Sequence, residues 1–429
     1  MPRVVLFLLM CLVGPCAFAQ DWPQWRGTNR DGVLKDANLV SSFEDLKTNW
    51  TQEISAGYSG PTVADGKVYV MDRRTKPQQT ERVLCFDEKS GEPLWTHEYK
   101  AVYRGVGYVA GPRASVTIDG DKAYSLGTMG HAFCLNAKTG KEIWKHDFDE
   151  SLQITKSKRM PIWGIAASPL IYRDLVIYHV GGVDACVIAM DKNSGKEAWR
   201  ALKDRAQYSS PIITRHNDKD VLICWTGDAV VGLAPQKGKL LWRFEFKPRN
   251  MPIGIATPIV QGDKIFLTSF YDGSLMLKMT DDETIEKAWK AIGDNEKSTK
   301  ALHSIISTPV WIDDVIYGVD SYGELRAIEA KTGQRIWESD KAVPRGRWST
   351  IHFIQDGTNV WMFNERGDLK LAKLERSGFT EISSTNIIAP TTNQLNRRGG
   401  VCWSHPAFAN GNVIIRNDKE IKSISLKQK

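Results

Sequence analysis

Several common functional signatures are missing from this 429-residue chain. No two of its seven cysteines are adjacent or form a Cys-x-x-Cys pair, so a zinc ribbon and a dithiol redox site have no local support. The eight histidines make no His-x-His or His-x-x-x-His pair, and a metal site has no local ligand set. There is no Gly-x-Ser-x-Gly elbow and no phosphate-binding P-loop. Lysine and arginine are scattered, with no block of the kind that tracks a phosphate backbone, so a formal charge of +7 speaks for solubility and not for a nucleic-acid partner. No apolar stretch approaches the ~20 residues that cross a bilayer, and no membrane span is expected.

The chain begins with Arg3, an apolar run from Val4 to Val13, and Ala17-Phe18-Ala19. A basic start, a short apolar stretch and a small-x-small end read as a secretory signal peptide over 1–19, leaving Gln20 first. Pro15 directly before Cys16 spoils a lipid-attachment motif, so the expectation is a protein exported to the periplasm or cell exterior without an anchor. Five cysteines would then remain: Cys85, Cys134, Cys186, Cys224 and Cys402. The odd number excludes a fully paired framework, and their apolar neighbours imply buried free thiols.

What the chain does have is a repeat. Asp87-Glu-Lys-Ser-Gly91-Glu-Pro-Leu-Trp95 returns as Asn136 to Trp144, as Asp191 to Trp199, as Pro235 to Trp242 and as Glu329 to Trp337. Trp289 closes a degenerate copy, and Phe379 reads as the replacement for tryptophan in another. Each copy opens on a small residue and proline, as in Gly60-Pro61, Ser168-Pro169 and Thr308-Pro309. Short β-branched strands and Gly/Asn/Asp turns follow, which means antiparallel hairpins. Four strands every ~40 to 55 residues is the pattern of propeller blades. Copies begin near 59, 113, 165, 207, 254, 304, 349 and 402. The expected fold is all-β: a single eight-bladed β-propeller of four-stranded antiparallel blades over 47–429. The last copy lacks its fourth strand, and Lys47 to Ile54 has that character, so the N-terminal strand should complete the last blade and bury both sheet edges. Residues 20–46 are expected to pack on the propeller, with Trp22 and Trp25 as pins.

This pattern resembles the pyrroloquinoline-quinone (PQQ) repeat of quinoprotein alcohol dehydrogenases and of the outer-membrane assembly lipoprotein BamB. Asp21-Trp22-Pro23-Gln24-Trp25-Arg26-Gly27, Gly111-Pro112-Arg113-Ala114 and Trp403-Ser404-His405-Pro406 also resemble exported planctomycete-type propellers. The resemblance implies the fold more firmly than a function. Quinoprotein alcohol dehydrogenases are usually longer, and many carry a Cys-Cys pair beside the quinone. That pair is absent here, and no local motif matches their calcium ligands or catalytic aspartate. Asp119-Gly120-Asp121 fits a turn better than a calcium loop.

The connections from the fourth strand of one blade to the first of the next are long: about 101–112, 149–164, 247–253, 292–303, 340–348 and 384–402. They lie on one face and end in aromatic and basic residues. Tyr58, Arg113, Trp163, Tyr208 and His303 come first along the chain, then Arg347, Trp348, Arg398, Trp403, Ser404 and His405. His131, on a turn of the same face, joins them. These residues are the candidate ligand ring at the channel mouth, where aromatic faces stack on planar or sugar-like groups and Arg and His hold anions. No catalytic or metal-ligating residue is singled out. The leading expectation is a non-catalytic scaffold, without a cofactor, that binds a protein or small-molecule ligand on the long-loop face. The alternatives are a PQQ-dependent oxidoreductase using calcium, with Arg113, Arg347 or Arg398 polarising a quinone carbonyl, and a BamB-like scaffold in outer-membrane protein assembly.

Overall fold

The computed structural model describes residues 20–35 and 39–428; the expected signal peptide over 1–19 lies outside them. The repeat motif works as one half of a joint between blades. In Asp87-Glu88-Lys89-Ser90-Gly91 the Asp87 carboxylate accepts the backbone N–H groups of Lys89 at 3.0 Å and Ser90 at 2.8 Å, closing an Asx turn. The chain then passes through Gly91 at φ 77°. A Cβ there would lie 2.5 Å from the ring of Trp50, the tryptophan of the preceding blade. Gly140 stands in the same relation to Trp95, at 2.6 Å, and Gly333 to Trp289, at 2.6 Å. Glycine is therefore required twice over, by backbone conformation and by the indole lying on it.

The indole N–H finishes the joint. Trp50 donates to Glu88 O at 2.8 Å, Trp95 to Ala137 O at 3.0 Å and Trp144 to Lys192 O at 3.1 Å. Trp199, Trp289 and Trp337 repeat the bond into the blade that follows each of them. A β-bulge just before each of these tryptophans tilts the outer strand so that its indole faces the next blade.

Eight sheets of this kind close a ring. Their strands are called A to D from the channel outward. Blade 1 holds Thr62–Ala64, Lys67–Arg74, Thr80–Asp87 and Pro93–Lys100. Blades 2 to 7 begin at Thr117, Leu170, Ile212, Ile259, Val310 and Ile351. Blade 8 takes strands A to C from the C-terminus (Ala407–Ala409, Asn412–Arg416, Glu420–Ser425) and strand D from Lys47–Glu53, antiparallel to Glu420–Ser425. The expected closure by the N-terminal strand is what the structure has. Apolar side chains between neighbouring blades form the core. The five cysteines are free and buried within it, and burial holds the Cys85 and Cys402 thiols up at about 12. Among the described residues no helix is long and apolar enough to cross a membrane.

Blade 7 departs from the sequence reading. Phe379 does not replace the missing tryptophan. The position after the bulge, opposite Leu371, belongs to Ser383. Its hydroxyl accepts the backbone N–H of Phe43 at 3.1 Å, and the Phe43 ring stacks on Trp361 at 5.6 Å. An aromatic side chain from the N-terminal segment thus covers a joint that blade 7 cannot make alone.

That segment also enters the channel. Trp22 bridges to Val63 on strand A of blade 1, and Pro23 O accepts the N–H of Ile118 on strand A of blade 2. Arg30 donates to Ser168 O at 2.9 Å and Pro169 O at 3.0 Å, where blade 3 begins. Val33–Leu34 pairs in parallel with strand A of blade 7. Contacts with the innermost strands of so many blades place residues 20–34 on the axis, as a plug.

Candidate functional site

The D–A connections converge at the opposite mouth of the channel. There they wall a cavity of about 130 Å³. An engineered apolar cavity of about 150 Å³ takes up benzene, so the space suits a single six-membered ring. Tyr58, Trp163, Tyr208, Trp348 and Trp403 supply aromatic walls from five different connections, and Ile255, Ile305 and Ile306 complete the apolar lining. Trp163 and Tyr208 stack with centroids 5.1 Å apart. Tyr108 lies across the mouth, its ring 5.5 Å from Trp163, 5.9 Å from Trp348 and 6.2 Å from Trp403. The floor is Trp25 of the plug, held by an indole bond to Thr257 Oγ1 at 2.9 Å, together with His352 and His405.

The two floor imidazoles face each other at 4.9 Å, and His405 lies 5.0 Å from Trp25. His352 Nε2–H donates to Trp403 O at 2.9 Å and His405 Nδ1–H to Pro406 O at 2.6 Å. Burial drives the His352 pKa down to about 4 and that of His405 well below its usual value, with the positive charge of Arg26 adding to both. Both rings are neutral at pH 7, which leaves one acceptor nitrogen on each. Arg26 and Arg30 lie buried in the plug and pair with backbone carbonyls, not with carboxylates. Burial lowers them to about 10 and about 9, with Asp31 partly offsetting this for Arg26, so both stay charged at pH 7.

Of the residues expected at the mouth, the fold brings Tyr58, Arg113, Trp163, Tyr208, Trp348, Trp403 and His405 around the cavity. Arg113 borders it, but its guanidinium donates to Gly107 O at 3.0 Å, to Gly111 O and Tyr108 O, and to Thr128 Oγ1 at 3.2 Å, so it staples its own connection. Five others stand elsewhere. Arg347 forms an ion pair with Glu296 at 2.8 Å and lies over the Trp348 ring at 4.6 Å. Arg398 pairs with buried Glu365 at 2.9 Å. His303 is buried, donating Nδ1–H to Phe270 O at 3.0 Å and accepting Gly293 N–H at 3.2 Å. His131 lies in an outer groove with His97 and Tyr99, 3.7 Å from Asp147. Ser404 is buried and bonded to Gln394 at 3.1 Å. For Arg347, Arg398, His303 and Ser404 a nearer carboxylate, carbonyl or amide satisfies the polar group before it can face the channel, whereas His131 is carried away from the channel by its place in the outer groove.

Sequence reasoning overlooked Tyr108 and His352 and gave Trp25 a packing role alone. Tyr108 carried a signal, an aromatic residue in a glycine-rich long connection (Gly105, Gly107, Gly111). His352 carried another, a polar residue interrupting Ile351, Phe353 and Ile354 on an innermost strand.

A quinone working with a divalent cation needs hard oxygen ligands beside the ring. No carboxylate or carboxamide lines the cavity. Glu365, behind Trp403, is engaged by Arg398 and by the Trp403 indole at 3.1 Å. Among the described residues no group of three His, Cys, Asp or Glu is placed to hold a metal ion. The donor set does not fit the quinone–calcium pair.

The chain is 23% identical to the outer membrane protein assembly factor BamB of Yersinia pestis over 281 residues, 63% of this chain and 65% of that protein. It is 31% identical to the quinohemoprotein alcohol dehydrogenase ADH IIB of Pseudomonas putida over 147 residues, 33% of this chain and 19% of that one. The matches thus span less than two thirds of these relatives. In fold it superposes on BamB from Moraxella catarrhalis with a TM-score of 0.61 at 16% identity, covering 90% of this chain and 99% of that chain. A europium-containing methanol dehydrogenase gives 0.65 at 12% identity, covering 95% and 98%. The family model described as outer membrane protein assembly factor BamB matches residues 79–339, more than half of the sequence, and the chain belongs to that family of PQQ-type repeat propellers.

Proposed function

We propose that the protein is a non-catalytic binding propeller acting outside the cytoplasm, which captures a ring-bearing ligand in the aromatic cavity at its long-loop mouth. The observation that carries this reading is the lining: aromatic and aliphatic walls of one-ring size, with no carboxylate and no metal-ligating cluster beside them. Binding would be driven by withdrawing apolar faces from water, with edge and face contacts to the indoles setting orientation. Burying one benzyl-sized group is worth roughly 1.5–3 kcal/mol. An isolated ring is therefore expected to bind weakly, at about 10 mM or above.

Benzyl alcohol is a suitable probe because it reports both binding and oxidation. Titration should change the intrinsic tryptophan fluorescence saturably. Ala166→Phe fills the cavity and should abolish the change while leaving the melting temperature in place. Adding PQQ and calcium should produce no dye reduction. An equal response from both proteins would remove the cavity as the site. Quinone- and calcium-dependent oxidation would overturn the non-catalytic reading in favour of the oxidoreductase, to which the 31% identity with ADH IIB lends support.

A further inference from the structure

Charges that look scattered along the chain are sorted by the fold. The D–A connections carry sixteen Lys/Arg against six Asp/Glu, and the B–C turns of the same face three against seven, for a net +6. The A–B and C–D turns of the opposite face carry nine against twelve, a net −3. Acidic residues of the long-loop face are in large part turned inward. Asp272 accepts the backbone N–H of Arg249 at 2.8 Å, Asp418 that of Asn393 at 3.0 Å, and both are buried, as are Asp320 and Glu365. The basic residues point out: Arg104, Lys156, Lys158, Lys247, Lys300 and Arg397 are all exposed. An approaching molecule meets a surface more basic than the net count.

The mouth also has an apolar lip. Val109 is 53% exposed and Ile162 48%, more than any other large hydrophobic on the surface described. They neighbour Tyr108 and Trp163, and their connections are tied by Gly107 N–H donating to Ile162 O at 2.7 Å. Exposed apolar groups next in sequence to residues that line a preformed cavity mark a place where another surface sits.

Resting on the cavity as the binding site, we infer that the long-loop face docks an acidic protein segment that seats one aromatic side chain in the cavity. The ring fills the one-ring space as an anchor, neighbouring apolar atoms cover Val109 and Ile162, and flanking carboxylates lie against the basic connections. A saccharide suits the lining less, because most of its hydroxyls would be buried against aromatic and aliphatic walls, with only Ser168, Ser210 and the floor imidazoles of His352 and His405 as polar partners. A flat lipid surface cannot reach a recessed cavity floored by Trp25.

The test is calorimetric titration of the full mature chain with three acetylated octapeptides: Glu-Asp-Glu-Phe-Asp-Glu-Asp-Glu, the same with Ala for Phe, and the first with every acid changed to Lys. The Phe peptide should bind about tenfold more tightly than the Ala peptide, as an anchor residue does, and the Lys peptide should not bind. Raising NaCl from about 0.05 M to about 0.5 M should weaken binding about tenfold. Ala166→Phe should bring the Phe peptide down to the level of the Ala peptide, and Val109→Asp should weaken it about fivefold without moving the melting temperature. Equal affinity for the Phe and Ala peptides would overturn the inference, leaving charge attraction alone. If neither acidic peptide binds while benzyl alcohol does, the partner class is wrong and the cavity reading stands. If benzyl alcohol fails as well, both fall. Displacement of benzyl alcohol by glucuronate, with no peptide binding, would make the occupant a sugar.

Discussion

The rim of this ring and its mouth use the same residue types under different rules. At the rim, Trp50, Trp95, Trp144, Trp199 and Trp289 each lie on a glycine of the next blade and donate the indole N–H to that blade's carbonyl, as Trp95 does to Ala137 over Gly140. Both partners come from a motif repeated around the molecule, so one sentence describes most joints. At the mouth, Trp163, Trp348 and Trp403 belong to connections of unlike length and sequence, and they meet around Tyr108 and not against a repeated partner. The rim joints are saturated and structural, whereas the mouth leaves aromatic faces around open space. In a repeat protein, function is expected where the repetition stops.

The comparison breaks most severely at the seam. Trp50→Ala removes the rim joint that also closes the ring, and the buried indole should be missed by about 3–5 kcal/mol. Chemical denaturation should show a large fall in midpoint or loss of a single cooperative transition. A variant that unfolds at the parent midpoint would mean that the N-terminal strand is not the clasp.

An acid titration should separate the regions next. His352 has a pKa near 4 in the folded protein, lowered chiefly by burial, against about 6.5 when unfolded. The unfolded chain therefore binds more protons between these values. Stability should be full above about pH 6.5 and fall as pH drops toward 4, by up to about 3 kcal/mol from this group. His352→Gln, which keeps a donor for Trp403 O, should flatten the loss over that window. Unchanged acid sensitivity in the variant would show that the floor imidazoles do not govern it.

The smallest effect is expected at the outer edge of the mouth. Arg347 and Glu296 are each about one-third exposed (31% and 29%), so Arg347→Ala should cost less than about 1 kcal/mol. Because Arg347 also covers Trp348, the variant should alter the fluorescence of the mouth while leaving the rim joints, and hence the melting temperature, nearly as they were.

The blade plan was legible because its signals are local. An Asx residue, a glycine at positive φ four residues on and a tryptophan four residues later lie within nine positions, and strands alternate with a period of two. The missing fourth strand of the last copy was legible for the same reason. The roles of the basic residues were not. Whether Arg113 reaches into a channel or back to Gly107, or Arg347 toward a ligand or toward Glu296, depends on acceptors that the chain brings near only after each connection has folded. The exchange at blade 7 was hidden by distance: Ser383 and Phe43 are 340 positions apart.

Strand, turn and joint follow from hydrogen bonds between residues close in sequence or related by one repeat, so the number of blades and their order could be counted along the chain. The identity of the cavity could not. Its lining draws on all eight connections and its floor on Trp25 of the N-terminal plug with His352 and His405, and these meet because closing the ring converges them on one axis. Ring closure is a long-range event. It settles which aromatic faces are left open, which charges are neutralised by a neighbour, and why two imidazoles far apart in the chain share one dry floor.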